Sequence, residues 1–185
     1  MKTEALERYL NSFGKYVVQQ SRANLSKAKK NDTKGLYNSI SFKVTTNPQG
    51  FSVQFFMADY GTFVDKGVSG TNKTRSFKNY QGKVISTPYK FGTGSARVGK
   101  AKGGMSGIMT KWVQRKGFQW RNKETGRFMS YKSMGYIIAR SIYSKGIKGI
   151  SFFQRPLQLG LEKLPEEMLG AIRDDIINGL TTVKI

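Results

Sequence analysis

Along the first thirty residues, large apolar side chains recur every three or four positions. Leu6, Tyr9, Leu10, Phe13, Tyr16 and Val17 fall on one stripe, which predicts an amphipathic helix from Thr3 to Ala28. Thr3 followed by Glu4 suits an N-cap with an acidic first turn, and Lys27, Lys29 and Lys30 suit the negative end of the helix dipole. Gly14 lies inside this helix at a cost of about 1 kcal/mol relative to Ala, so close approach of another backbone is expected there. The stripe is expected to face the protein's own core in preference to a partner's groove.

The period then changes from helical to two. Ile40, Phe42 and Val44 alternate with polar residues, and Phe51, Val53, Phe55 and Met57 do the same after Asn47-Pro48-Gln49-Gly50. Proline fixes φ and glycine tolerates positive φ, so this is a hairpin, with the first helix as the expected cover for its apolar face. Asp59 to Gly67 predicts one or two helical turns ending at Gly67 in the left-handed region. Further on, a helix is expected from Ser106 to Lys116 and a turn at Asn122–Gly126 between two short extended pieces. Another helix is expected from Lys132 to Lys145, closed by Gly146. A last helix should start near Phe152 or Pro156 and run to about Asn178, kinked or broken at Pro165. The fold class is therefore α+β: an antiparallel sheet covered by an N-terminal helix and C-terminal helices. Residues 1–185 are expected to form a single domain.

Residues 68–106 have no such regularity. They are rich in Gly, Ser, Thr and Lys, punctuated by Phe77, Tyr80, Tyr89 and Phe91. They predict a long basic loop or arm in the middle of the chain, reaching a neighbouring subunit or nucleic acid for its order. On that expectation, removing 72–104 would leave the rest folded.

Composition narrows the chemistry. The chain has no His and no Cys, so the commonest general base, the commonest transition-metal ligand and the strongest nucleophile are missing. Its carboxylates form no paired cluster. No enzyme activity, metal or cofactor is expected. No apolar run approaches the roughly eighteen residues of a membrane span, and Met1-Lys2-Thr3-Glu4 lacks the layout of a secretion signal. No membrane contact is expected, and synthesis is expected in the cytoplasm.

The formal net charge is +21, unevenly spread. From Lys66 to Arg155 there are twenty Lys and Arg against one acidic residue, Glu124. The plain reading is a solvated basic surface. The functional reading is an anionic partner, met by a basic arm carrying Lys73, Arg75, Lys78, Lys83, Lys90, Arg97, Lys100 and Lys102. Nucleic acid and an acidic neighbouring subunit are the two candidates, and composition alone does not choose between them. A free-standing nucleic-acid-binding protein is the rival reading, although no zinc spacing, RNA-binding sheet motif or basic recognition helix accompanies the charge.

Three stretches resemble the neck family of tailed phages, the tail-completion or head–tail connector proteins also called minor capsid proteins. The first is Gly35-Leu36-Tyr37-Asn38-Ser39-Ile40-Ser41-Phe42-Lys43-Val44, leading from the first helix into a strand. The second is Tyr60-Gly61-Thr62-Phe63-Val64-Asp65-Lys66-Gly67. The third runs from Ile137 to Leu161 and contains Ala139-Arg140-Ser141-Ile142, Lys145-Gly146-Ile147-Lys148-Gly149 and Phe152-Phe153. They occur in the family's order, while Thr71 to Gly104 is longer than the compact family pattern. The resemblance implies a structural virion protein of the head–tail junction. It would form a homo-oligomeric ring, on the order of six or twelve subunits, between portal or connector and tail proteins, around the DNA channel. In such a channel tight DNA binding would hinder ejection, so docking of the basic arm on acidic neighbouring proteins is preferred, with weak non-specific contact with genomic DNA second.

Overall fold

The structure is a computed structural model that describes residues 4–47, 50–91, 104–117 and 119–181. It mixes helix and antiparallel strand pairs, with an N-terminal helix and C-terminal helices. The chain divides into two compact units. The first comprises residues 1–65, 78–85 and 150–185; the second comprises 66–77 and 86–149.

In the first unit, α1 (Glu4–Lys27) and α6 (Gln154–Thr181) pack together, and α1 also covers the hairpin of β1 (Ser41–Asn47) and β2 (Gly50–Phe56). Most of the α1 stripe faces inward: Leu6, Leu10, Phe13 and Val17 are buried, as are Val18 and Leu25 beside them, while Tyr9 is partly covered and Tyr16 is exposed. The hairpin register sets Phe42 opposite Phe55 and Val44 opposite Val53. These side chains share the covered face. The Phe55 ring meets Phe13 at 6.2 Å and Phe153 at 5.4 Å, both edge to face, which is the favoured arrangement for aromatic quadrupoles. Phe152 is fully buried beside Leu25, Leu36 and Ile40. The close approach expected at Gly14 is real, but the group that needs the space is the Phe42 ring, which a methyl at Gly14 would overlap.

Both long helices have their first-turn N–H groups satisfied from far along the chain. Asp175 of α6 accepts from the Ala5 and Leu6 amides at 2.8 and 3.0 Å, and is itself buried. Thr3, the expected cap, lies outside the described residues. Asp65, at the end of α3 (Gly61–Lys66), accepts from the Phe153 amide at 2.8 Å and the Gln154 amide at 3.4 Å, at the start of α6. A buried carboxylate facing a helix N-terminus meets both the unpaired N–H groups and the positive dipole end. Arg22 ties α1 to α2 (Gly35–Ser39) and the residue after it, donating to the Tyr37 and Ile40 carbonyls at 3.1 and 2.9 Å.

Of the kink or break expected at Pro165, the break is absent: α6 continues through that residue. The Leu161 carbonyl loses its helical donor to proline, and both residues are exposed, so solvent takes the donor's place.

The second unit is built on α4 (Gly104–Lys116) and α5 (Tyr131–Lys145), which pack closely. Thr110 crosses where Gly135 leaves room; a methyl at Gly135 would overlap the Thr110 side chain. Ser130 caps α5 by accepting from the Ser133 amide, and Gly146 ends it at φ +73. Strands β3 (Gly67–Val68) and β6 (Ile147–Lys148) pair antiparallel, and Gly70 and Gly146 permit the backbones there to come within a methyl's width.

Part of the stretch expected to be irregular is structured. β4 (Ser76–Lys78) and β5 (Val84–Ser86) form a two-stranded pair, Phe77 is buried, and Thr87 donates its hydroxyl to the Gly67 carbonyl at 2.8 Å. Removing 72–104 would therefore take away folded structure. The signal was weak because each pairing is only two or three residues long, too short for period-two patterning to register.

Candidate functional site

The two units differ most in charge. The second carries seventeen Lys and Arg against one acidic residue, Glu124, whereas the first carries fifteen against ten. A unit with almost no internal compensation has a positive field over most of its surface. The candidate site is therefore in the second unit.

The described residues among the sequence-predicted arm cations are divided between the two units. Lys73, Arg75 and Lys90 belong to the second unit, while Lys78 and Lys83 belong to the first. Arg97, Lys100 and Lys102 lie outside the described residues. Arg75 is half-buried: its Nε donates to the Lys145 carbonyl at 2.8 Å and its amide to the Ser69 hydroxyl at 2.9 Å. That geometry fixes the loop and leaves less of the guanidinium for a partner. The side chains of Lys73 and Lys90 are exposed, and Lys90 bridges to Ser69 through its backbone. Lys83 holds the turn of its hairpin, donating its amide to Asn79 Oδ1 at 2.9 Å and accepting from the Asn79 amide at its carbonyl. The Lys78 carbonyl accepts from the Ser151 hydroxyl at 3.0 Å.

A more concentrated arrangement lies between α4 and α5 in sequence. Residues 119–129 form a narrow ribbon: the Met129 amide donates to the Trp120 carbonyl at 2.8 Å, Arg121 bridges to Phe128, and the Asn122 amide donates to the Arg127 carbonyl at 2.9 Å. Asn122 Oδ1 accepts from the Glu124 and Thr125 amides, and Gly126 closes the turn at φ +65. These bonds are local, so the ribbon's shape is set by its own sequence. Its side chains are strongly exposed, Phe128 to 60% and Trp120 to 43%. The Arg121 guanidinium lies over the Phe128 ring, 4.8 Å from its centroid, a cation–π geometry. Lys123 and Arg127 are exposed on the same ribbon, and Lys116 and Lys132 flank it at the ends of α4 and α5.

The sequence by itself locates this turn and assigns it no role. The available signal was alternation: Trp120-Arg121, Lys123 and Arg127-Phe128 place aromatic and cationic groups side by side within one short segment.

The first unit offers a different concavity. A cleft of about 450 Å³ runs between α1 and α6, lined by Tyr9, Phe13, Tyr16, Leu159 and Gly160, with Glu162, Lys163 and Glu167 at its margin. The Tyr9 phenol is pushed above its ordinary pKa by burial, then by the charge of Glu167 and the hydrogen bond to it. It stays protonated and serves as a donor. Among the described residues, no group of three or more acidic side chains is placed to hold a metal ion, and no helix is long and apolar enough to cross a membrane.

Compared with protein-family models, with curated proteins and with solved structures, the chain matches none.

Proposed function

We propose that this chain is a non-catalytic structural protein of a tailed-phage virion, located at the head–tail junction. There it assembles with copies of itself into a ring between connector and tail proteins. The reading starts from the neck-family resemblance of three ordered stretches. The structural observation that supports it is apolar surface on regular elements. On α6, Leu161, Leu169 and Ile176 are exposed at spacings of eight and seven residues, with Leu169 exposed to 64%. On β2, Phe51 and Phe56 are exposed as well. Such surface costs free energy in water and is recovered when a subunit covers it. The work of such a protein is shape, charge and packing, with no bond made or broken.

The decisive experiment traces this chain in assembled particles. Copies arranged as a ring at the neck are expected. Absence from mature particles, or turnover of a substrate by the purified chain, overturns the proposal. In the same system Leu169→Asp should block assembly while leaving the monomer's melting temperature nearly unchanged, because the side chain is already in water. The second reading, a free-standing nucleic-acid-binding protein, is favoured by one observation: the charge of the second unit. A gene position away from portal and tail genes would favour it over the first.

A further inference from the structure

We infer that the 119–129 ribbon is a contact site for single-stranded nucleic acid, bound without sequence preference by phosphate neutralisation and base stacking. The inference stands apart from the junction reading and can fail without it.

Three observations combine. First, the ribbon belongs to a unit with seventeen cationic residues and one carboxylate, so its long-range field attracts a polyanion. Second, Phe128 is mostly exposed and Trp120 partly so, although Val113 and Met134 in the neighbouring helices are buried. Third, Arg121 stacks on Phe128, with Lys123 and Arg127 within the same few residues.

A solvated basic face needs only the charges. It does not account for a Phe and a Trp presented beside them on a prebuilt turn. An acidic protein surface would satisfy the cations and make no use of the exposed ring surface. Nucleic acid supplies both halves, phosphates for Arg and Lys and flat bases for the rings. Single strands are specified because duplex bases are already stacked inside the helix and cannot reach Phe128 or Trp120.

The test uses the full-length chain and three probes of matched charge: oligo(dT), duplex DNA and polyglutamate. Oligo(dT) should bind tightest. Phe128→Ala should weaken it roughly tenfold or more, within the range for loss of one base-stacking ring. Phe128→Leu should weaken it similarly, because leucine keeps apolar bulk and lacks a flat face. The joint substitution Arg121→Gln and Arg127→Gln should lower the slope of log affinity against log salt by about 0.7 for each phosphate that is no longer neutralised. Lys27→Gln with Lys30→Gln removes the same charge from the first unit and should change oligo(dT) affinity by much less. In a Trp112→Phe background, emission from Trp120 should be quenched on binding.

Unchanged melting temperature and far-ultraviolet dichroism keep these effects separate from folding. Polyglutamate binding as tight as oligo(dT) overturns the proposal in favour of acidic-protein docking. Equal loss from the Lys27/Lys30 control, or no loss from either Phe128 variant, reduces the site to bulk charge and overturns it too.

Discussion

The two compact units are assembled from the same kinds of parts, helices and two-stranded pairs, yet they are stabilised differently. The first buries Leu6, Leu10, Phe13, Val17, Val18, Leu25, Leu36, Ile40 and Phe152, with Phe42, Phe55 and Phe153 packed around them. Its surface mixes charges of both signs. In the second, the buried apolar side chains among the described residues are Val68, Phe77, Val113, Met134 and Ala139. Its cohesion leans more on backbone proximity at Gly70, Gly135 and Gly146 and on hydrogen bonds such as Arg75 to Lys145. Like charge opposes that cohesion. One unit thus has ample internal reason to fold, while the other carries an unbalanced surface whose cost an anionic partner would offset.

The largest expected effect sharpens this contrast directly. Phe152→Ala, at a fully buried site, should destabilise the first unit by about 3–5 kcal/mol. Val113→Ala, at the fully buried position of α4, removes two methyl groups and should cost the second unit about 2 kcal/mol. Amide exchange in α1 and α6 reports the first change, and in α4 and α5 the second. Because phenylalanine loses far more buried carbon than valine, equal costs would mean that the second unit's core is the more effective per atom removed.

Next in size is the remote cap. Asp175→Ala leaves the Ala5 and Leu6 amides without their acceptor and should destabilise the first unit by about 2–3 kcal/mol. Asp175→Asn keeps one acceptor oxygen, sets an NH2 group in place of the second, and loses the charge at the dipole, so a cost of about 1–2 kcal/mol, below that of the Ala variant, is expected. Denaturant midpoints for the two variants test the order; an Asn variant as unstable as the Ala variant would show that a single acceptor oxygen does not sustain the cap.

These caps mark the limit of what the sequence discloses. Helix α1, the β1–β2 hairpin, the left-handed end at Gly67 and the Lys132-to-Lys145 helix closed by Gly146 follow from local period and punctuation, and all are present, whereas the Ser130 cap of α5 is seen only in the structure. Asp175 and Asp65 look like ordinary helical carboxylates, because nothing local says that residues about 170 or 88 positions away need an acceptor. The continuity of α6 through Pro165 likewise depends on that turn facing water. At the candidate site, the turn chemistry of Asn122–Gly126 was legible, whereas the exposure of Trp120 and Phe128 was not. Exposure is a property of the packed unit, and aromatic residues in a sequence are expected inside.

A smaller effect separates the units by ionic strength. Screening weakens like-charge repulsion, so moving from low to moderate salt should raise protection of α4 and α5 amides by about 1 kcal/mol. In α1 and α6, where charges are mixed, the change should be smaller. Equal responses would remove electrostatics from the comparison.

The smallest effect concerns the well-packed unit and has the opposite sign to the other substitutions. Ser21 lies fully buried on α1, and its hydroxyl has no hydrogen-bond partner. An unpaired buried hydroxyl is a cost that water would relieve in the unfolded chain. Alanine deletes that atom, leaves a gap smaller than a methyl group and is the better helix former. Ser21→Ala should therefore stabilise the first unit by about 0.5–1 kcal/mol, read as a higher denaturant midpoint at unchanged slope. A lower midpoint would mean that the hydroxyl is bonded after all, and that this core tolerates less polar imperfection than its packing suggests.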